Sequence, residues 1–115
     1  MSEITQAQIE KWILEEARKL EQCVQEIATL AKKAANDDSE FKIAHAKARL
    51  KAKADSLTKM SDASAEDYAI VETADLRRQY NMSTALLDSA KKSFLAAQAR
   101  LDALRTLNAS VRANS

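Results

Sequence analysis

The chain has 115 residues, contains no Gly and no Pro, and balances 18 Lys/Arg against 17 Asp/Glu for a formal net charge of +1. Average usage would give roughly eight glycines and six prolines at this length, so phosphate-cradling glycine loops are excluded and turns needing a positive φ are scarce. The length fits one domain, 1–115. No stretch of 18 apolar residues occurs, and the N-terminus MSEITQAQIEKW lacks the pattern of a secretory leader. A cytoplasmic protein without a membrane partner is therefore expected. Cys23 is the single cysteine, which rules out an intrachain disulfide and fits a reducing compartment.

Ala, Leu, Lys, Arg, Glu and Gln dominate, the residues that lose least entropy on entering a helix, and an all-α fold is predicted. Thr5 and Gln8 form an N-terminal capping pattern. After it an apolar seam runs through Ile13, Ala17, Leu20, Val24, Ile27, Ala31 and Ala34 in alternating steps of four and three. That 3.5-residue repeat is the mark of helices that wind around one another. In the same register it passes Asp38 and continues through Phe41, His45, Ala48 and Ala52, which predicts one long helix over about 5–58 with a possible break at 36–39.

The stretch from Lys59 to Glu66 is rich in small polar residues, and Ser64 with Asp67 matches a capping box. The chain is predicted to reverse here, with a turn and short helix over about 59–73 and Thr73 or Asp75 able to cap the next helix. From Leu76 the seam resumes through Tyr80, Ser83, Leu87, Ala90, Phe94, Ala97, Leu101, Leu104, Asn108 and Val111. This predicts a second long helix over about 75–112, and two long heptad helices with a short connection imply an antiparallel, coiled-coil-like hairpin.

Several apolar residues lie off that seam. Ile43, Leu50 and Leu57 recur every seven residues on the opposite side of the first helix, and Trp12, Leu86, Leu95 and Leu107 are also left over. A helix that is apolar on two sides is usually buried on both, so assembly into a homo-oligomer through Ile43, Leu50 and Leu57 is expected.

No catalytic set is assembled by the sequence, and no enzyme is expected. His45, the single histidine, lies in the seam more than five turns from Cys23, leaving no zinc set; neither metal nor cofactor is implied. Glu15 and Lys19 have the i,i+4 spacing of a surface ion pair. Charge is instead segregated along the chain: residues 1–40 carry five basic against nine acidic groups, 41–60 six against one, 61–72 none against four and 73–115 seven against three. In the basic block, Lys42, Arg49 and Lys53 form one stripe and Lys47 and Lys51 another, flanking the face of Ile43 and Leu50. Five cations with no acid between them concentrate positive potential and can neutralise phosphates. The competing reading is that they solubilise the helix and pair with acids of a neighbouring subunit.

The order of these features resembles a known family. Lys47-Ala48-Arg49-Leu50 in a basic stretch late in the first helix, the Ser-rich acidic segment Ser61 to Asp67, and a second long helix carrying Leu101-Asp102-Ala103 and Leu107-Asn108-Ala109-Ser110-Val111-Arg112 are similar to the UvsY-like recombination mediators of tailed bacteriophages, over about residues 10–112. The resemblance implies a ring-forming helical protein that binds single-stranded DNA and helps a recombinase displace single-strand-binding protein. Lys47 and Arg49 would then match the family's DNA-contacting pair, with Lys42, Lys51 and Lys53 supporting them by position. The chain departs from the family in its few aromatics and its lack of an overall basic surplus, so base stacking is not implied. Without the resemblance, the same features suit a helical-hairpin interaction or inhibitor module, or a virion scaffolding protein.

Overall fold

A computed structural model describes residues 4–56 and 59–114. They form three helices, α1 (Gln6–Asp55), α2 (Asp62–Glu72) and α3 (Ala74–Ala113), and no strand occurs among the described residues. The predicted capping box is formed: the Thr5 amide donates to Gln8 Oε1 at 3.0 Å and the Gln8 amide donates to Thr5 Oγ1 at 3.2 Å. α1 then runs without a break, so residues 36–39 are ordinary helix. α2 is capped by Ser61, whose hydroxyl accepts from the Ser64 amide at 3.1 Å. The predicted cap at Ser64 is thus one turn too late; Ser64 already lies inside the helix. Only Thr73 separates α2 from α3. Its amide closes α2 on the Ala69 carbonyl, its own carbonyl accepts the first bond of α3 from Arg77, and its hydroxyl donates to Ala69 O at 2.6 Å. The Thr73 side chain therefore finishes α2 rather than capping α3.

The chain divides into two compact units, Met1–Thr29 with Asp88–Ser115, and Leu30–Leu87. In the first, α1 and α3 run antiparallel, as shown by the ion pairs Glu10–Arg112 at 3.5 Å and Glu16–Arg100 at 3.2 Å. Its buried stripe is built from Ile9, Glu16, Ala90, Ala97 and Leu101. In the second unit, α2 and the start of α3 both run antiparallel to α1. Lys53 pairs with Asp62, Arg49 with Glu66, and Lys33 reaches Ser83. Ala34, Ala52, Ala65 and Ala69 are its buried apolar residues.

The seam of α3 follows its sequence pattern at every position from Leu76 to Val111: each named residue is buried or half-buried. In α1 one of the two rows differs. Ile13, Leu20, Ile27, Ala34, Phe41 and Ala48 turn inward as predicted, but the second row is Ile9, Glu16, Cys23, Leu30 and Asp37, whereas Val24 is 54 % exposed and Ala31 faces solvent. Glu16 is thus buried beside the predicted Ala17, which is half-buried, and Asp37 beside the predicted Asp38, also half-buried, so two carboxylates occupy the inward row. Beyond Asp37 the inward positions Phe41, His45, Ala48 and Ala52 follow steps of four, four, three and four. Such a four-four step is a stutter that locally relaxes the coil, and it falls where α1 acquires its second neighbour, α2.

Candidate nucleic-acid interface

The five cations of the basic stretch project from α1 within the Leu30–Leu87 unit, and the two stripes have different surroundings. Lys42, Arg49 and Lys53 face acids: Lys42 Nζ lies 3.0 Å from Asp38 Oδ2, Arg49 Nε 3.4 Å from Glu66 Oε2, and Lys53 pairs with Asp62. Two of those acids belong to α2, the segment with four carboxylates and no cation. Hydrogen bonding from Lys53, together with its charge, holds the Asp62 carboxyl below the ordinary aspartate range. The acidic block 61–72 thus pairs with Arg49 and Lys53 of that flank, while Lys42 pairs with Asp38 of α1 itself. Lys47 and Lys51, one helical turn apart on the other flank, are exposed and form no ion pair among the described residues.

Between the stripes, Ile43 is 56 % and Leu50 70 % exposed, placing them on the outer side of α1 as the seven-residue spacing requires. Leu57, the third member of that face, lies outside the described residues.

A pocket of about 460 Å³ opens where all three helices of this unit meet, lined by Phe41, Lys42, His45, Ala46, Arg49, Glu66, Ile70, Arg77, Tyr80 and Asn81. His45 Nε2 contacts Glu66 at 2.9 Å, and its ring is tilted by 45° against Phe41 with centroids 5.7 Å apart. His45 is thus a half-buried seam residue facing a carboxylate from α2. Among the described residues no group of three His, Cys, Asp or Glu side chains is arranged to hold a metal ion. Sequence pattern does not mark Glu66, Arg77, Tyr80 and Asn81 as site residues; the one-dimensional signal for them is the Arg77-Arg78 pair just before Tyr80, at the start of α3.

Charge is handled differently in the seam. Glu16 accepts from Lys19 at 3.3 Å and from Arg100 at 3.2 Å. Lys19 therefore pairs with Glu16 rather than with Glu15. Burial pushes the Glu16 carboxyl up, but the hydrogen bonds and charges of Lys19 and Arg100 outweigh it and hold the group below its ordinary value. Asp37 accepts from Lys33 at 2.8 Å and from Ser83, and these bonds lower its carboxyl against the opposing effect of burial.

No protein-family model matches this sequence, and comparison with curated proteins and with solved structures gives no match. No described helix is long and apolar enough to cross a membrane.

Proposed function

We propose that the chain is a non-enzymatic accessory protein of phage recombination that binds single-stranded DNA as a homo-oligomer and helps load a recombinase in place of single-strand-binding protein. The observation that carries this reading is the pair Lys47 and Lys51, exposed, unpaired among the described residues and set beside the outward apolar face of Ile43 and Leu50. Contacts of this kind grip phosphates without reading bases. The similarity of Lys47-Ala48-Arg49-Leu50 and its surroundings to the UvsY-like mediators supplies the recombination setting, in which α1 and α3 form the antiparallel hairpin.

Exposed apolar side chains support association. Trp12, Leu14, Leu95, Ile43, Leu50 and Val71 are among the large apolar side chains left exposed; of these, Ile43 and Leu50 share one side of α1 as the apolar face proposed for association. Stacking subunits through Ile43 and Leu50 would place successive Lys47 and Lys51 side chains along one track.

A second reading is favoured by the pairing of Lys42, Arg49 and Lys53 with acids of their own chain. If Lys47 and Lys51 are merely solvated, the chain is a helical interaction or inhibitor module, or a scaffolding protein. A mobility shift with a labelled single-stranded oligonucleotide separates the two: the mediator reading expects a shift that weakens steeply with salt, and the interaction-module reading expects none.

A further inference from the structure

The pocket of the Leu30–Leu87 unit has a composition unlike the rest of the surface. The whole chain holds one Trp, two Tyr and two Phe, yet Phe41 and Tyr80 both line this one hollow, together with Lys42, Arg49 and Arg77. Glu66 is the one carboxylate among its lining residues, so three fixed cations face a single acid. Two of those cations already have acids, Lys42 with Asp38 and Arg49 with Glu66. Arg77 is exposed and forms no ion pair among the described residues.

Polar atoms at the pocket are also left unmatched. His45 Nδ1 and Arg49 Nε are buried and have no hydrogen-bond partner; Arg49 Nε lies 3.4 Å from Glu66 but is not aligned to donate to it. Buried polar atoms are ordinarily satisfied, and an exception calls for an explanation. Asn81, at the rim, offers both a donor pair and an acceptor. The volume of about 460 Å³ lies within the ~300–1,000 Å³ typical of small-molecule sites.

We propose that this pocket is a nucleotide subsite, which takes one phosphorylated nucleoside unit with its phosphate on Arg77 and Arg49 and its base against the Tyr80 ring, the base edge facing Asn81. Guanidinium groups suit phosphate because their donors form a planar fork, and an aromatic face accepts any base. Glu66 then acts as the internal occupant of the anion position, held there by His45 and Arg49 until a phosphate replaces it. This inference deepens the single-stranded-DNA reading and rests on it, since it assigns the base contact that the exposed lysines cannot make.

The test is a titration of the isotopically labelled full chain with thymidine 5′-monophosphate, followed by NMR at the Asn81 side-chain amide and the Arg49 and Arg77 Nε–H groups. Thymidine alone and inorganic phosphate alone serve as separate probes. The nucleotide is expected to shift all three signals and to bind more tightly than either fragment. Tyr80→Ala is expected to weaken binding by roughly tenfold, the scale of one base stacked on a ring, and Arg77→Ala, at an exposed position, by about the same factor, the scale of one hydrogen bond to a charged group. Tyr80→Phe keeps the ring and should retain binding, which separates a stacking role from a folding defect. An absence of shifts at millimolar nucleotide overturns the subsite. So does oligothymidylate binding that is insensitive to both Arg77→Ala and Tyr80→Ala, and in that case the DNA-binding reading survives without the pocket. Nucleotide shifts without oligothymidylate binding would sustain the pocket and remove the mediator reading.

Discussion

Ser83 and Asp37 meet in the buried stripe of the Leu30–Leu87 unit: the Ser83 hydroxyl donates to Asp37 Oδ2, while Lys33 Nζ donates to the same oxygen from 2.8 Å. Ser83 is 2 % and Asp37 8 % exposed. The hydroxyl also lies 3.0 Å from the Gln79 carbonyl, but with one proton it serves only one acceptor at a time. A polar layer of this kind fixes which residues face each other, because sliding either helix would strand a buried carboxylate. Glu16 occupies the same row of α1 three heptads earlier, and its second carboxylate oxygen is buried without a partner.

Stability should therefore fall in acid. A carboxyl whose folded pKa lies below its unfolded one contributes stability that is fully present above the unfolded value and is lost as pH falls through the folded value. Glu16 and Asp37 are both lowered from ordinary values of 4.5 and 3.8. Thermal melts are expected to be flat at neutral pH and to drop as pH falls through and below those values. Glu16→Gln/Asp37→Asn should be less stable than the parent at neutral pH and show a shallower acid decline. An unchanged decline would mean that these carboxyls are not lowered by their partners.

The α3 seam predicts a sharp contrast between two leucines. Leu101 is 4 % exposed and Leu95 61 %. Leu101→Ala should cost about 2–4 kcal/mol through reduced burial and a residual cavity, whereas Leu95→Ala should stay within about 0.5 kcal/mol in the monomer. Denaturant unfolding of the two variants measures both.

Most of this architecture is legible in the sequence because its signals are local. The absence of Gly and Pro, the Thr5/Gln8 cap and the Leu76–Val111 seam each depend on residues within one or two turns, and each has its counterpart in the structure. The inward row of α1 is less legible. A pattern that scores apolarity prefers Ala17 to Glu16 and gives no reason to choose Asp37 over Asp38, since the partners that make those acids acceptable inside, Arg100 and Ser83, lie 84 and 46 residues away. The basic stretch shows the same limit. Spacing resolves it into two stripes, but only the position of α2 shows that Asp62 and Glu66 lie against one of them.

The outer face of α1 supplies a test of assembly. Leu50 is 70 % exposed, so Leu50→Glu should leave the helix content of the monomer intact. In an oligomer that buries this face, the new charge would be desolvated without a partner. Sedimentation analysis should show a lower mass for the variant, and an unchanged mass would move the interface elsewhere.

Glu66 predicts an effect of opposite sign to the lysines. Its carboxylate holds both His45 and Arg49, so Glu66→Gln removes a competitor for phosphate and frees a guanidinium. Oligonucleotide affinity should rise, and the dependence of log affinity on log salt should steepen by about 0.7, one additional phosphate contact on a single strand. A drop in affinity would show that Glu66 positions the site rather than competing for it.

The most direct test of the proposed function is fluorescence anisotropy of a labelled single-stranded oligonucleotide across a salt series, with the parent and Lys47→Ala/Lys51→Ala compared at equal oligomer mass. Both side chains are exposed and unpaired among the described residues, so the double substitution removes charge without breaking an internal contact. Weaker binding is expected, with a salt slope shallower by about 0.7 for each phosphate that is no longer neutralised. Identical affinity and slope in parent and variant, or no binding by the parent at low salt, would contradict single-stranded-DNA binding on this face of α1.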